Sequence, residues 1–143
     1  MKPTLEWKNG KCTNPPPGWV ACVWWRRDDT CWWGAELAEG DRVRSSHTGD
    51  NGYLTIEPTQ RACEVALWRL GVLPLPEWNG PVILLGDFRA CVAKDDTGWW
   101  FRIRRSSDAP SNDGLRFATE ADAKRQTEVI LRALIAAALE AEK

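Results

Sequence analysis

The chain predicts an α+β protein built from two tandem β-β-β-α repeats, with small antiparallel sheets each packed by one helix. Two observations carry this expectation. The first is a phrase that occurs twice, Asp28-Asp29-Thr30-Cys31-Trp32-Trp33 and Asp95-Asp96-Thr97-Gly98-Trp99-Trp100, with further landmarks repeated around it in the same order. These are Glu6-Trp7 and Glu77-Trp78, Ala21-Cys22-Val23 and Ala90-Cys91-Val92, Arg42-Val43-Arg44 and Arg102-Ile103-Arg104, and Glu64-Val65 and Glu128-Val129. Such duplications mean two copies of one supersecondary unit. The second observation is periodicity. The second copy reads with period two after the repeated phrase, and each copy reads with helical spacing toward its end. The expected organisation is a first repeat over 5–72 with a Pro-rich arm at 14–18, a short linker at 73–76, and a second repeat over 77–143.

In the first copy, Asn14-Pro15-Pro16-Pro17-Gly18 is an extended arm, because proline fixes φ and removes a donor. Trp19 to Arg27 reads as a strand, Gly34 to Asp41 as an inserted piece, and Arg42 to Ser46 as a basic strand. A turn is expected at Asn51-Gly52. Pro58 suits the first turn of a helix and Gly71 its stop, with Cys63, Ala66, Leu67 and Leu70 as the apolar stripe.

In the second copy, Val82 to Leu85 and Phe88 to Lys94 read as strands. Asp95 to Gly98 is a turn, and Trp99 to Arg105 alternates. That alternation puts Trp99, Phe101 and Ile103 on a buried face and Trp100, Arg102 and Arg104 on a wet one. Ser106 to Gly114 is a polar loop with a turn at Asp113-Gly114, and Leu115-Arg116-Phe117 a brief strand. Thr119 caps the last helix with Asp122 three residues on, and Val129, Ile130, Ala133, Leu134 and Ala137 are expected to face the sheet.

Composition narrows the function classes. The 143 residues are 43% hydrophobic and 27% charged, a globular mixture, with a net charge of −1. No global field draws such a chain onto nucleic acid or an anionic membrane, so any basic site is a local patch. Ten Trp stand against three Phe and one Tyr, enough to place some at the surface. No apolar segment follows Met1-Lys2-Pro3-Thr4 and no run is long enough to span a bilayer. The five cysteines form no Cys-x-x-Cys pair and read as buried, reduced thiols of a cytoplasmic protein, the alternative being one or two disulfides with a spare thiol.

The residues Gly98-Trp99-Trp100-Phe101-Arg102-Ile103-Arg104, followed by Phe117-Ala118-Thr119-Glu120-Ala121-Asp122-Ala123, resemble the AP2 and phage-integrase arm type of β-β-β-α domain. The likeness covers the second copy and is looser in the first. It implies a three-stranded sheet with one helix, and a sheet face that enters a DNA groove through Trp100, Arg102 and Arg104. A compact Trp-rich chain of this kind is also similar to accessory proteins of phages and prophages.

Catalysis finds little support. The one histidine, His47, sits beside Ser45 and Ser46 in what reads as a polar loop, and no carboxylate is placed to complete a triad. Asp28-Asp29 and Asp95-Asp96 read as turn chemistry rather than metal ligands. No phosphate loop or zinc spacing occurs, and no cofactor is expected. Cys22 and Cys91 read as buried small hydrophobes. The candidate binding residues are Trp24, Trp25, Arg26, Arg27, Arg42, Arg44, Trp100, Arg102, Arg104 and Arg105. Trp and Arg dominate interface hot spots, Arg forks suit phosphates, and aromatic faces suit unstacked bases. The ordinary reading of the same residues is a solvated sheet face paired with nearby Asp and Glu. The functional expectation is a non-enzymatic binding protein, monomer or homodimer, of accessory or inhibitor type. Its partner is a host protein or nucleoprotein; direct DNA or RNA binding by the Arg-bearing sheet face is the alternative.

Overall fold

The computed structural model describes residues 3–49, 52–105 and 114–141. It is an α+β structure with two antiparallel sheets, one of five strands and one of three, and two helices. The chain divides into two compact units. One takes the chain up to Leu73 and adds the stretch from Ile135 onward; the other is Pro74–Leu134.

The first unit opens with a hairpin. β1 (Trp7–Lys8) and β2 (Lys11–Cys12) are joined by Asn9-Gly10, both at positive φ (52° and 78°), the combination a two-residue hairpin turn requires. The Pro-rich arm ends in a tight turn at Pro17-Gly18, closed by the Trp19 amide donating to the Pro16 carbonyl at 2.9 Å. β3 (Trp19–Trp25), β4 (Cys31–Glu39) and β5 (Arg42–Thr48) continue the sheet in the order β1-β2-β3-β4-β5. Alternation buries Trp19, Ala21 and Val23 on β3 and Cys31, Trp33 and Ala35 on β4. α1 (Ile56–Leu70) packs on β3 and β4. It ends in a Schellman motif: Gly71 is left-handed at φ 76°, its amide bonds the Trp68 carbonyl, and the Val72 amide reaches back to Leu67.

The second unit is a meander of β6 (Val82–Leu85), β7 (Phe88–Asp95) and β8 (Gly98–Arg105). Ile83, Phe88, Ala90, Val92, Phe101 and Ile103 are buried, each large apolar side chain contributing about 1.5–3 kcal/mol by leaving water. α2 (Glu120–Ala141) starts where expected: the Thr119 hydroxyl accepts the Asp122 amide at 3.1 Å.

Several expectations need correction. The strands divide five and three rather than three and three. Two causes add strands to the first unit. Trp7 to Cys12 forms its own hairpin, and the supposed insertion from Gly34 to Asp41 is mostly the far half of β4, an additional strand paired with the expected one at Arg42, which runs on to Thr48. Consequently Arg42-Val43-Arg44 and Arg102-Ile103-Arg104 do not occupy corresponding strands. The strand read through Arg27 stops at Trp25, because the Arg26 amide turns to bond Thr30. Leu115 to Phe117 supplies only one bridge, Trp99↔Phe117.

The helix faces also shift. On α1, Thr59, Glu64, Val65 and Trp68 are buried beside Cys63 and Leu67, whereas Leu70 is exposed. On α2 the buried row is Ala123, Thr127, Leu131, Ile135 and Leu139, a strict i, i+4 series, and Val129 is 57% exposed. Thr127 sits in that row because its hydroxyl donates to the Ala123 carbonyl at 2.7 Å, which satisfies it without water. Residues 106–113 and Asn51, which carry the expected polar loop and parts of two expected turns, lie outside the described residues.

Candidate functional site: the open sheet faces

The three-stranded sheet has an outer face set by register. Leu84, Arg89 and Arg104 form one row across the strands; Val82, Cys91 and Arg102 form the next; Ala93 and Trp100 form the third. Arg102 lies over the Trp100 ring, its guanidinium carbon 5.5 Å from the centroid. Arg89 and Arg104 are directly opposite each other, and none of the three arginines has an ion pair among the described residues. Every residue of the three rows is uncharged or basic. Like charges placed directly across a ladder destabilise it, so the sheet tolerates a cost here. Arg105 does different work. It points to the other side, donates to Asp87 at 2.9 Å and lies over Phe88 at 5.4 Å. That hydrogen bond holds the Asp87 carboxyl below the usual carboxylate range.

The five-stranded sheet presents a different outer face. Trp24 on β3 is directly opposite Trp32 on β4. The benzo end of the Trp24 indole lies over Gly34: a Cβ there would stand 3.0 Å from its Cζ3. Arg26 stacks on Trp32, 3.6 Å from the ring centroid. The Trp32 indole N–H donates to the Thr30 hydroxyl at 2.9 Å, and that hydroxyl donates in turn to Asp28. Lys11 lies across from Cys22, one row from Trp24. Trp25 alternates to the other side, and Arg27 is exposed in the following loop. Arg44 pairs with Glu39, which is also the cross-strand neighbour of Arg42; the ordinary solvated, ion-paired reading describes these two.

The repeated Asp-Asp-Thr phrase builds the same turn twice. Asp28 Oδ1 accepts from the Thr30 amide (3.1 Å) and hydroxyl, and Asp95 Oδ1 accepts from the Thr97 amide (2.8 Å) and hydroxyl (2.6 Å). Both carboxyls are held below their usual range, chiefly by the threonine hydroxyl. Asp95 is further engaged by Arg116.

The candidate residues therefore divide between two faces. Trp100, Arg102 and Arg104 share one; Trp24 and Arg26 share another; Trp25, Arg27, Arg42, Arg44 and Arg105 join neither. Sequence reasoning missed Arg89, Trp32, Gly34 and Lys11. Arg89 was recoverable, because once Asp96-Thr97 is taken as the turn, counting outward from the Asp95↔Gly98 pair brings Arg89 against Arg104.

Other candidates for chemistry are structural. His47 is on β5 rather than in a loop, half-buried across from Ala35, its ring 5.8 Å from that of Trp19. Cys22 and Cys91 are half-buried on the outer faces rather than in the core. Burial pushes the Cys63 thiol up to about 12. Glu64 is 1% exposed and accepts from the Leu5 amide (2.7 Å), the Thr4 amide (3.0 Å) and the Trp68 indole (3.3 Å), tying the N-terminal segment to α1. Among the described residues, no group of three or more His, Cys, Asp and Glu side chains could hold a metal ion, and no helix is long and apolar enough to cross a membrane. No family model, curated protein or solved structure matches the chain.

Proposed function

We propose that the protein is a non-enzymatic binding module, and that the outer face of the β6–β8 sheet engages the phosphate backbone of a nucleic acid. The observation that carries this reading is the Arg89–Arg104 cross-strand pair beside Arg102 and Trp100, with no carboxylate in the three rows. Fold stability does not call for three arginines there. Guanidinium forks match phosphate oxygens, and an indole held beside them adds a stacking surface. A face of this kind overrides a net charge of −1 only locally, so binding is expected to be salt-sensitive and of modest strength. Mobility-shift titrations at low and moderate salt test it. Double replacement Arg102→Glu with Arg104→Glu is expected to abolish a shift that the wild type shows at low salt; a wild type without any shift refutes the reading.

A second reading, an accessory or inhibitor protein that engages a host protein, is favoured by a separate observation. Val20, Trp24 and Trp25 are exposed on or beside the five-stranded sheet, and large apolar anchors with Arg at hand typify protein hot spots. A partner captured by the wild type and lost on Trp25→Ala supports it.

The two units also fit an origin as diverged copies of one module. Lys8↔Lys11 followed by Lys11↔Cys22 corresponds to Asn79↔Val82 followed by Val82↔Cys91. The bridges Cys31↔Tyr53 and Trp99↔Phe117 each precede a helix by the same short interval. In this correspondence Trp32 matches Trp100, and each carries an Arg on its ring.

A further inference from the structure

We infer that the outer face of the five-stranded sheet is a second nucleic-acid site, selective for single strands, in which Trp24 stacks on an unpaired base and Arg26 with Lys11 takes the adjoining phosphates. The inference rests on the nucleic-acid reading above and adds to it the strand state and a different set of residues.

Three features distinguish this face from a merely exposed one. First, Trp24 is held ready. Gly34 leaves the space its benzo end fills, and Trp24 as a whole remains 38% exposed. A side chain fixed over a glycine loses little freedom when a ligand stacks on it. Second, Arg26 is oriented but unspent. Its guanidinium is stacked on Trp32, yet makes no hydrogen bond or ion pair among the described residues, so its donors are available. Trp32 is itself locked through Thr30 to Asp28, so the turn phrase positions the cation. Third, a shallow depression of about 660 Å³ is lined by Lys8, Lys11, Thr13, Pro15 and Val20; Lys11 is across from Cys22, so this basic-sided track for a backbone ends one row from Trp24. Two carboxylates are near: Glu36 is across from Val20, two rows from the Trp24–Trp32 pair, and Asp28, which accepts from Thr30, also attracts the Arg26 guanidinium.

A base inside a duplex offers no free face to Trp24, so the chemistry selects single strands. Aromatic stacking also tolerates any base, which predicts weak sequence preference.

The test is fluorescence anisotropy of the full chain with a labelled oligothymidine of about 12 nucleotides and, separately, a hairpin duplex. Trp24→Ala is expected to weaken oligothymidine binding about tenfold and to leave duplex binding within about twofold. Trp24→Phe, which keeps a ring, restores most of the loss. Gly34→Ala, whose Cβ would press on the indole at 3.0 Å and tilt it from its resting place, is expected to weaken single-strand binding in the same direction without touching a ligand-facing polar group. Equal loss for both nucleic acids, or no loss for either, overturns the inference. Duplex binding that depends on Arg102 and Arg104 while oligothymidine binds no variant differently leaves the arginine face standing and removes this site. No binding of either nucleic acid by the wild type overturns both.

Discussion

Arg89 and Arg104 face each other across the β7–β8 ladder, and neither has an ion pair among the described residues. A cross-strand pair of like charge costs a few tenths of a kcal/mol, and the opposite-charge pair regains about as much. Arg89→Glu is therefore expected to raise unfolding stability by about 0.5 kcal/mol in urea melts while lowering affinity for nucleic acid and flattening its salt dependence. A variant that is more stable and binds as well as the wild type would remove the arginine face from the binding site.

The buried row of α2 makes a sharper stability prediction. Leu131→Ala is expected to cost about 3 kcal/mol, because Leu131 is 1% exposed and its deletion leaves a cavity. Val129→Ala, two residues away on the exposed side, is expected to stay within about 0.5 kcal/mol. Chemical denaturation of the two variants compares them; a reversed order would mean the helix is rotated toward the face its apolar residues suggest.

Glu64 is the anchor most sensitive to substitution. Glu64→Ala leaves the Leu5 amide and the Trp68 indole N–H without their acceptor in a dry site, a loss of about 3 kcal/mol. Glu64→Gln keeps one carbonyl oxygen and is expected to lose roughly half as much. Protease cleavage near the N-terminus, faster in Glu64→Ala than in Glu64→Gln, reads the same contact independently.

Acid reads the two Asp-Asp-Thr turns. Their carboxyls are lowered in the folded state by Thr30 and Thr97, so they bind fewer protons than the unfolded chain does near pH 4. Their contribution to stability is full above the ordinary carboxylate pKa and is lost as pH falls through the lowered value. Asp28→Asn with Asp95→Asn keeps a side-chain acceptor and is expected to flatten the stability profile below about pH 4. An unchanged acid limb in that double variant would show that the turns carry no linkage.

Cys22 and Cys91 answer to a simpler chemical probe. Both sit half-buried on open faces, while Cys12, Cys31 and Cys63 are buried. Alkylation at neutral pH is expected to modify Cys22 and Cys91 before the three buried thiols. Early modification of Cys63 would contradict the packing of α1.

Short-range chemistry was legible in the chain. Asp-Asp-Thr made its turns, Thr119 capped α2, Gly71 stopped α1, and the alternation through β8 separated Phe101 and Ile103 from Arg102 and Arg104. Each depends on atoms a few residues apart, so sequence alone contains the interaction. Phase and company were decided by tertiary structure. The loop between β3 and β4 spans Arg26–Thr30, whereas β7 and β8 are joined by Asp96-Thr97 alone. The two Trp-Trp pairs therefore sit one residue out of step: Trp33 takes the place of Phe101, and Trp32 that of Trp100. A shift of one residue in a strand exchanges core for solvent. Likewise the face that α2 buries followed from packing, which accepted Thr127 once its hydroxyl bonded the helix backbone. Arg89 joined Arg104, and Trp24 came to rest on Gly34, only when strands distant in sequence were laid side by side.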